Sequence, residues 1–113
     1  MRIVDTHQHL WELDRFSYSW CYKRPGLDRS FTLADYAAAT QDINTEKTVH
    51  VEADVDKPDI PGETNHVLSI AERGELIAGV VAAARPEDEG FTSYIAGIAD
   101  RPQLKGVRRI LQS

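Results

Sequence analysis

The first residues of the chain place three side chains with metal-binding chemistry at alternate positions. Asp5, His7 and His9 follow a short apolar stretch and are separated by one residue each. Because side chains alternate between the two faces of a strand, all three would point the same way if the strand continued that far. Two imidazoles at a strand end can share one divalent ion, and imidazole suits zinc, iron, copper and nickel. The spacing predicts metal ligands at His7 and His9, although unrelated histidines in a polar turn would give the same short pattern.

Four stretches have the composition of strands, and three helical patterns separate them. The strand patterns cover residues 3–6, 47–52, 77–83 and 105–111. The third is nearly all apolar, which is typical of a parallel strand buried on both faces. The helical patterns follow a capping box at Thr32–Asp35, run over 63–73 up to Gly74, and run over 91–98 ahead of Pro102. This alternation predicts an α/β fold with parallel strands joined by right-handed crossovers.

A long irregular segment follows the first strand and carries most of the chain's aromatic residues. It runs over residues 11–30, about twenty residues, which exceeds the usual length of a connection. Its aromatic content favours an ordered loop over a disordered one. Trp11, Tyr18 and Trp20 would either line the mouth of a pocket and exclude water or pack the loop onto the sheet.

Composition narrows the class of protein. The 113 residues are 42% hydrophobic and 27% charged, with a net charge of −5, as expected of one soluble globular domain or a piece of one. The acidic balance argues against a nucleic-acid surface, and a single cysteine, Cys21, excludes a disulfide within the chain. No apolar run approaches membrane-spanning length. We expect a cytoplasmic protein that acts on a small molecule and binds neither nucleic acid nor membrane.

The segment from Ile3 to Trp11 resembles the opening of the amidohydrolase superfamily. It is most similar to the branch often called amidohydrolase 2, which includes fuconolactonase, sulfomuconolactone hydrolase and pyrone-dicarboxylate lactonase. Further segments fit the same branch in order, namely Phe16–Trp20, Thr48–Ala53, Glu63–Thr64, Ala78–Ala82 and Leu104–Arg109. The resemblance therefore covers nearly the whole chain.

This resemblance implies a TIM-like (β/α)8 barrel whose site lies at the C-terminal ends of the strands. The family's use of two first-strand histidines as ligands carries over to His7 and His9, with zinc as the expected metal. The metal would polarise a lactone or related cyclic carbonyl compound, or activate a water molecule. Some lactonases of this branch work without a metal, so the cofactor is either a divalent ion or none.

The same resemblance gives substrate-binding roles to further residues. Polar residues at the end of the second strand bind substrate in related lactonases, which points to Glu52 and His50; a solvated carboxylate is the alternative for Glu52. Arg108 and Arg109 are adjacent, so alternation directs them to opposite faces. One of them is expected to hold a carboxylate or lactone oxygen while the other packs among helices. Trp11 joins this set from the long loop.

The predicted domain, residues 1–113, is only the N-terminal half of such a barrel. A complete barrel needs about 250 residues, whereas four strands and three helices are found here. In the family, the remaining ligands and the catalytic carboxylate come from later strands, so the general base is expected beyond Ser113. We therefore expect the chain alone to be an inactive fragment with open sheet edges that favour self-association.

Two other functions compete with the lactonase interpretation. Metal-dependent phosphoesterases and deoxyribonucleases also open on an Asp-x-His-x-His motif, but the acidic charge and the segments 49–53 and 106–109 count against them. The second alternative is a non-catalytic half-barrel that self-associates or binds a partner through its exposed sheet. The substrate, the metal and the oligomeric state are not determined by the sequence.

Overall fold

A single parallel sheet forms the frame of the molecule. The computed structural model describes residues 1–112. Its four strands are β1 (Ile3–Gln8), β2 (Thr45–Val51), β3 (Ile77–Ala83) and β4 (Leu104–Arg108). They lie in chain order, β1-β2-β3-β4, and every neighbouring pair is parallel. The predicted α/β alternation is confirmed, although β1 extends beyond residue 6 and β4 ends at Arg108 rather than at Leu111.

Each helix follows a strand and returns the chain to the start of the next. The helices are α1 (Leu33–Ala39), α2 (Ile60–Arg73) and α3 (Phe91–Ile98). The predicted capping box is present, because the Thr32 side chain accepts from the backbone of Asp35 and the Asp35 carboxylate accepts from the backbone of Thr32. Helix α2 begins earlier than predicted, since Pro61 suits the first turn of a helix.

Helix α2 covers one face of the sheet. Its apolar residues Val67, Leu68 and Ala71 pack with Ile77 and Val80 of β3, and all five are less than 5% exposed. Leu10, just after β1, belongs to the same core, as does Ile98 of α3. Two layers are built in this way, with helices packed on one face of a parallel sheet.

The long loop after β1 is ordered and packs over the C-terminal ends of β2 and β3. Tyr18 and Cys21 lie in a second core with Ala53 and Ala83. The indole nitrogen of Trp20 donates to the carbonyl oxygen of Ala53 at 2.7 Å. The loop thus covers one side of the C-terminal end of the sheet. This is the end at which barrel enzymes carry their active sites.

The two outer strands leave part of the sheet uncovered. β1 and β4 are the edge strands, and Val4 of β1 is 56% exposed while Val107 of β4 is 41% exposed. Within residues 1–112, no helix is both long and apolar enough to cross a membrane.

Candidate metal and substrate site

The two predicted metal ligands meet at the C-terminal end of β1. The Nε2 atoms of His7 and His9 are 3.0 Å apart, and their rings stand edge to face with centroids 4.7 Å apart. His7 is exposed and His9 is half-buried. The structure therefore brings together the Nε2 atoms of the two residues that the sequence predicts as ligands.

A backbone bond sets the orientation of His9. Its Nδ1 atom lies 2.8 Å from the carbonyl oxygen of Val51 at the end of β2. Because a carbonyl can only accept, Nδ1 carries the proton and Nε2 presents a lone pair. In this state His7 donates its Nε2 proton to His9, and a bound ion would require that proton to move to Nδ1 of His7.

A bulge in β1 turns Asp5 away from the histidine pair. Asp5 lies opposite Thr48 on β2. Gln8 lies opposite His50, so three steps along β1 match two steps along β2. The simple alternation predicted for Asp5, His7 and His9 is therefore wrong, because an extra residue in one strand breaks the two-residue period.

Asp5 instead bonds to protein groups with both of its oxygens. Oδ2 accepts from the hydroxyl of Tyr36 at 2.7 Å, and Oδ1 accepts from the backbone N–H of His7 at 3.1 Å. The Tyr36 hydroxyl, followed by the His7 N–H group, holds the pKa of Asp5 below its usual range. The carboxylate is ionised and each oxygen is bonded to a protein group, and Asp5 does not form a three-residue metal-binding group with the histidines.

The histidine pair fits two positions of a zinc site. With Zn–N bonds of about 2.1 Å, two tetrahedral ligand nitrogens lie about 3.4 Å apart, somewhat more than the 3.0 Å between these Nε2 atoms. Within residues 1–112, however, no group of three or more His, Cys, Asp or Glu side chains is arranged to hold a metal. The described part of the chain thus supplies two ligands, whereas a catalytic zinc usually has three plus water.

Glu52 and Arg108 form an ion pair where β2 and β4 end. Arg108 Nε donates to Glu52 Oε1 at 2.7 Å, and a second guanidinium nitrogen donates to the backbone oxygen of Glu52 at 2.8 Å. Glu52 is 3% exposed, while the Arg108 side chain is 33% exposed. Glu52 also accepts from the backbone of Asp54, which has a positive φ of 55°. Glu52 is thus a buried anchor, and Arg108 is the partner that still reaches solvent.

Arg109 and Trp11 lie in different surroundings. Arg109 pairs with Glu87 at 2.7 Å, whereas Arg108 pairs with Glu52. Trp11 stacks in a T-shaped arrangement on Trp20 and pairs with Phe31 through the backbone. Its indole nitrogen is buried without a partner among the described residues. The structure places Trp11 in the packing of the loop, while its predicted substrate contact stays a prediction.

His50 lies inside the protein rather than at a pocket surface. It is 1% exposed, and neither ring nitrogen has a hydrogen-bond partner among the described residues. Burial, with a smaller contribution from the charge of His9, lowers the pKa of His50 to about 3, so the ring is neutral. Buried Gln8 and Thr48 lie nearby, joined by a 3.1 Å hydrogen bond. A ring so enclosed does not reach solvent, whereas the sequence predicts a substrate contact for it.

Sequence reasoning missed a buried acid–phenol pair beside this site. Tyr18 donates to Glu63 Oε2 at 2.6 Å, and Glu63 is 2% exposed. Burial raises the pKa of Glu63 to about 7, although the Tyr18 hydrogen bond opposes that shift. The signal was the position of Glu63 on the same helical face as Val67 and Ala71, where a carboxylate is out of place.

An open cavity of about 560 Å³ lies away from the histidine pair. It is bounded by the end of β3 and the starts of α2 and α3, with Lys57, Arg85, Phe91 and Tyr94 in its wall. Neither His7 nor His9 lines it. The histidine pair and this cavity therefore do not coincide.

Comparison with solved structures identifies the architecture. The chain matches amidohydrolase 2 from Bifidobacterium longum subsp. infantis with a TM-score of 0.60 and 21% sequence identity, covering 94% of this chain and 50% of that one. The chain has the fold of the N-terminal part of an amidohydrolase 2. The predicted half of a TIM-like barrel with parallel strands is thereby confirmed.

Sequence comparison finds distant curated relatives of this chain. L-fucono-1,5-lactonase from Burkholderia ambifaria is 26% identical over 110 residues, which are 96% of this chain and 37% of the relative. An uncharacterized protein, y4mH, from Sinorhizobium fredii is 26% identical over 91 residues, 73% of this chain and 31% of its own length. The chain thus spans about a third of these relatives. No protein-family model matches it.

Proposed function

We propose that the chain forms the N-terminal half of a metal-dependent hydrolase of the amidohydrolase type, acting on a lactone or related cyclic carbonyl compound. The main observation that supports this proposal is that His7 Nε2 and His9 Nε2 lie 3.0 Å apart at the C-terminal end of a barrel strand. Sites of (β/α)8 enzymes lie at this end. The distant similarity to an L-fucono-1,5-lactonase supports the substrate class.

In this proposal, different residues of the chain bind the metal and the substrate. His7 and His9 would hold a divalent ion, with zinc proposed, and such an ion polarises a carbonyl and activates water when bound. Val51 keeps the lone pair of His9 directed at the same point through its carbonyl oxygen. Further ligands and the general base are required from outside the described residues, so we expect the chain alone to bind metal without turnover.

Arg108 is the proposed contact for the polar oxygens of the substrate. Its bonds to Glu52 use part of the guanidinium group, and the side chain remains a third exposed. The remaining N–H groups can donate to a carboxylate or lactone oxygen. Glu52 holds the guanidinium group in position through these hydrogen bonds. We propose this support of Arg108 as the role of Glu52 in substrate binding.

Zinc titration by calorimetry tests the proposed metal site. We expect one zinc ion per chain for the wild type, loss of binding in His7→Ala and in His9→Ala, and unchanged binding in His66→Ala. His66 is a suitable control because it pairs with Glu12, away from the histidine pair. A wild type that takes up no zinc, or equal binding by His7→Ala, would refute the metal site.

A substrate assay separates the lactone proposal from the phosphoesterase alternative. In a polypeptide that joins this chain to the second half of a barrel, we expect zinc-dependent hydrolysis of an aldonolactone and none of a phosphodiester. The opposite preference would reject the lactonase assignment while leaving the metal site in place.

The exposed sheet supports a second candidate, a half-barrel that associates with a copy of itself. Val4 and Val107 lie exposed on the two edge strands, and open edges with apolar residues promote strand pairing between chains. This candidate needs no metal, so the titration above separates it from the first.

A further inference from the structure

Asp5 connects the backbone of a proposed metal ligand to helix α1. One of its carboxylate oxygens accepts from the N–H group of His7 at 3.1 Å. The other accepts from the hydroxyl of Tyr36, in α1, at 2.7 Å. A single carboxylate therefore bridges the bulged part of β1 and the helix, and Asp5 does so while half-buried.

The bulge determines where His7 points. Between Asp5 and Gln8, β1 contains one residue more than the matching part of β2. A bulge takes its extra residue out of the regular ladder, and the Asp5 carboxylate accepts from the N–H group of His7 within it. Without the bulge, the register would slip by one residue and a side chain would change faces. Regular alternation from Asp5 would then place His7 and His9 on the face that Asp5 shares with Tyr36 of helix α1.

Helix α1 places Tyr36 beside the core, with Leu33 and Tyr36 partly buried against it. It begins at the capping box of Thr32 and Asp35, which satisfies backbone groups at its start. Tyr36 lies in the next turn and is half-buried, with Leu33 packed on the same core. The phenol therefore presents its hydroxyl to Asp5 from a constrained position.

We propose that Asp5 and Tyr36 are positioning residues that hold the bulge of β1 and thereby keep His7, with His9, on the face of the sheet opposite Asp5. The consequence for metal affinity rests on the proposed function, whereas the consequence for the bulge does not. Asp5 acts through the backbone of His7 and does not touch the ion. Outer-shell partners of this kind change metal affinity by about 10- to 100-fold when removed.

Four variants test the proposal through zinc affinity. We expect Asp5→Ala to weaken binding by about 10- to 100-fold and Tyr36→Phe to weaken it by about 10-fold or less. Asp5→Asn should stay within about threefold of wild type, because its amide oxygen still accepts from His7 and its amide nitrogen can donate to the tyrosine oxygen. Tyr22→Phe, at a 68% exposed tyrosine, is the control.

Hydrogen exchange of the His7 amide provides a readout that needs no metal. In Asp5→Ala this amide should lose protection selectively, compared with the amide of Val80, which donates to Gln103 in the sheet. Retained protection of His7 in Asp5→Ala overturns the positioning role. Wild-type zinc affinity in Asp5→Ala and Tyr36→Phe, with His7→Ala inactive in binding, overturns it as well and leaves the proposed metal site standing. A wild type without zinc binding refutes the proposed function alone, and the amide exchange then decides the positioning role.

Discussion

The hydroxyl of Tyr18 lies 2.6 Å from the Glu63 carboxyl group, and this bond joins the long loop to helix α2 inside the protein. Burial raises the pKa of Glu63 to about 7, and the nearby charge of Glu52 acts in the same direction. Burial also raises the pKa of Tyr18, so the phenol keeps its proton. The loop that covers the end of the sheet is thus fastened by a carboxyl group that titrates near neutrality.

The raised pKa of Glu63 predicts a fold that loses stability as the pH rises. Below its unfolded pKa of 4.5 the group is protonated in both states, and between 4.5 and about 7 only the folded state keeps the proton. The free energy of unfolding should therefore fall by roughly 3 kcal/mol across this range. Urea unfolding at several pH values measures it. Glu63→Gln should remove this slope, whereas Glu89→Gln, at an exposed position, should keep it; an equal slope in Glu63→Gln would contradict the assignment.

His50 predicts the opposite dependence in acid. Burial lowers the pKa of His50 from 6.5 to about 3. Between these two pH values the unfolded chain binds a proton at His50 and the folded chain does not. The stability from this group is complete above pH 6.5 and is lost as the pH falls towards 3. His50→Leu removes both the titration and two unpartnered buried nitrogens, so it should be as stable as wild type at pH 7 and more stable at pH 5. His66→Leu is the control, and an unchanged acid slope in His50→Leu would reject the prediction.

The neighbouring arginines offer a matched comparison of a buried and an exposed ion pair. Arg108→Met leaves the buried carboxylate of Glu52 without its partner and should lower the free energy of unfolding by about 2 kcal/mol. Arg109→Met breaks a more exposed pair with Glu87 and should cost less than about 1 kcal/mol. Adding Glu52→Gln to Arg108→Met should recover part of the loss, because no charge then remains buried. Equal losses for both arginines in urea unfolding would show that burial does not distinguish them.

Local patterns in the sequence predicted the frame of the molecule. The β-branched run before Asp5, the apolar strand at 77–83 and the Thr32 capping box each depend on residues close together in the chain, so periodicity and capping rules identify them. The proximity of His7 and His9 could be predicted for the same reason, because the two residues are close together in the chain. Family resemblance added the closure of these elements into half of a barrel.

The remainder of the site depends on partners that are distant in the chain. The bulge that turns Asp5 towards Tyr36 exists only relative to the register of β2. The Tyr18–Glu63 bond spans 45 residues and the Arg108–Glu52 pair spans 56. Alternation within one strand cannot show which of two faces a neighbouring helix will cover, and this is why His50 was expected at a surface that it does not reach.

The open edges of the sheet predict self-association that depends on concentration. Val4 and Val107 are exposed on the two edge strands, and the outer side of an edge strand can pair with a strand of another chain. We expect sedimentation velocity to show growing oligomers as the protein concentration rises. Val4→Lys and Val107→Lys should each shift the chain towards the monomer, because a charge at an edge opposes strand pairing. Leu27→Lys, at an exposed leucine in the loop, should not. A wild type that stays monomeric and unfolds cooperatively with several kcal/mol of stability would reject this prediction, since the half-barrel would then be a complete folding unit.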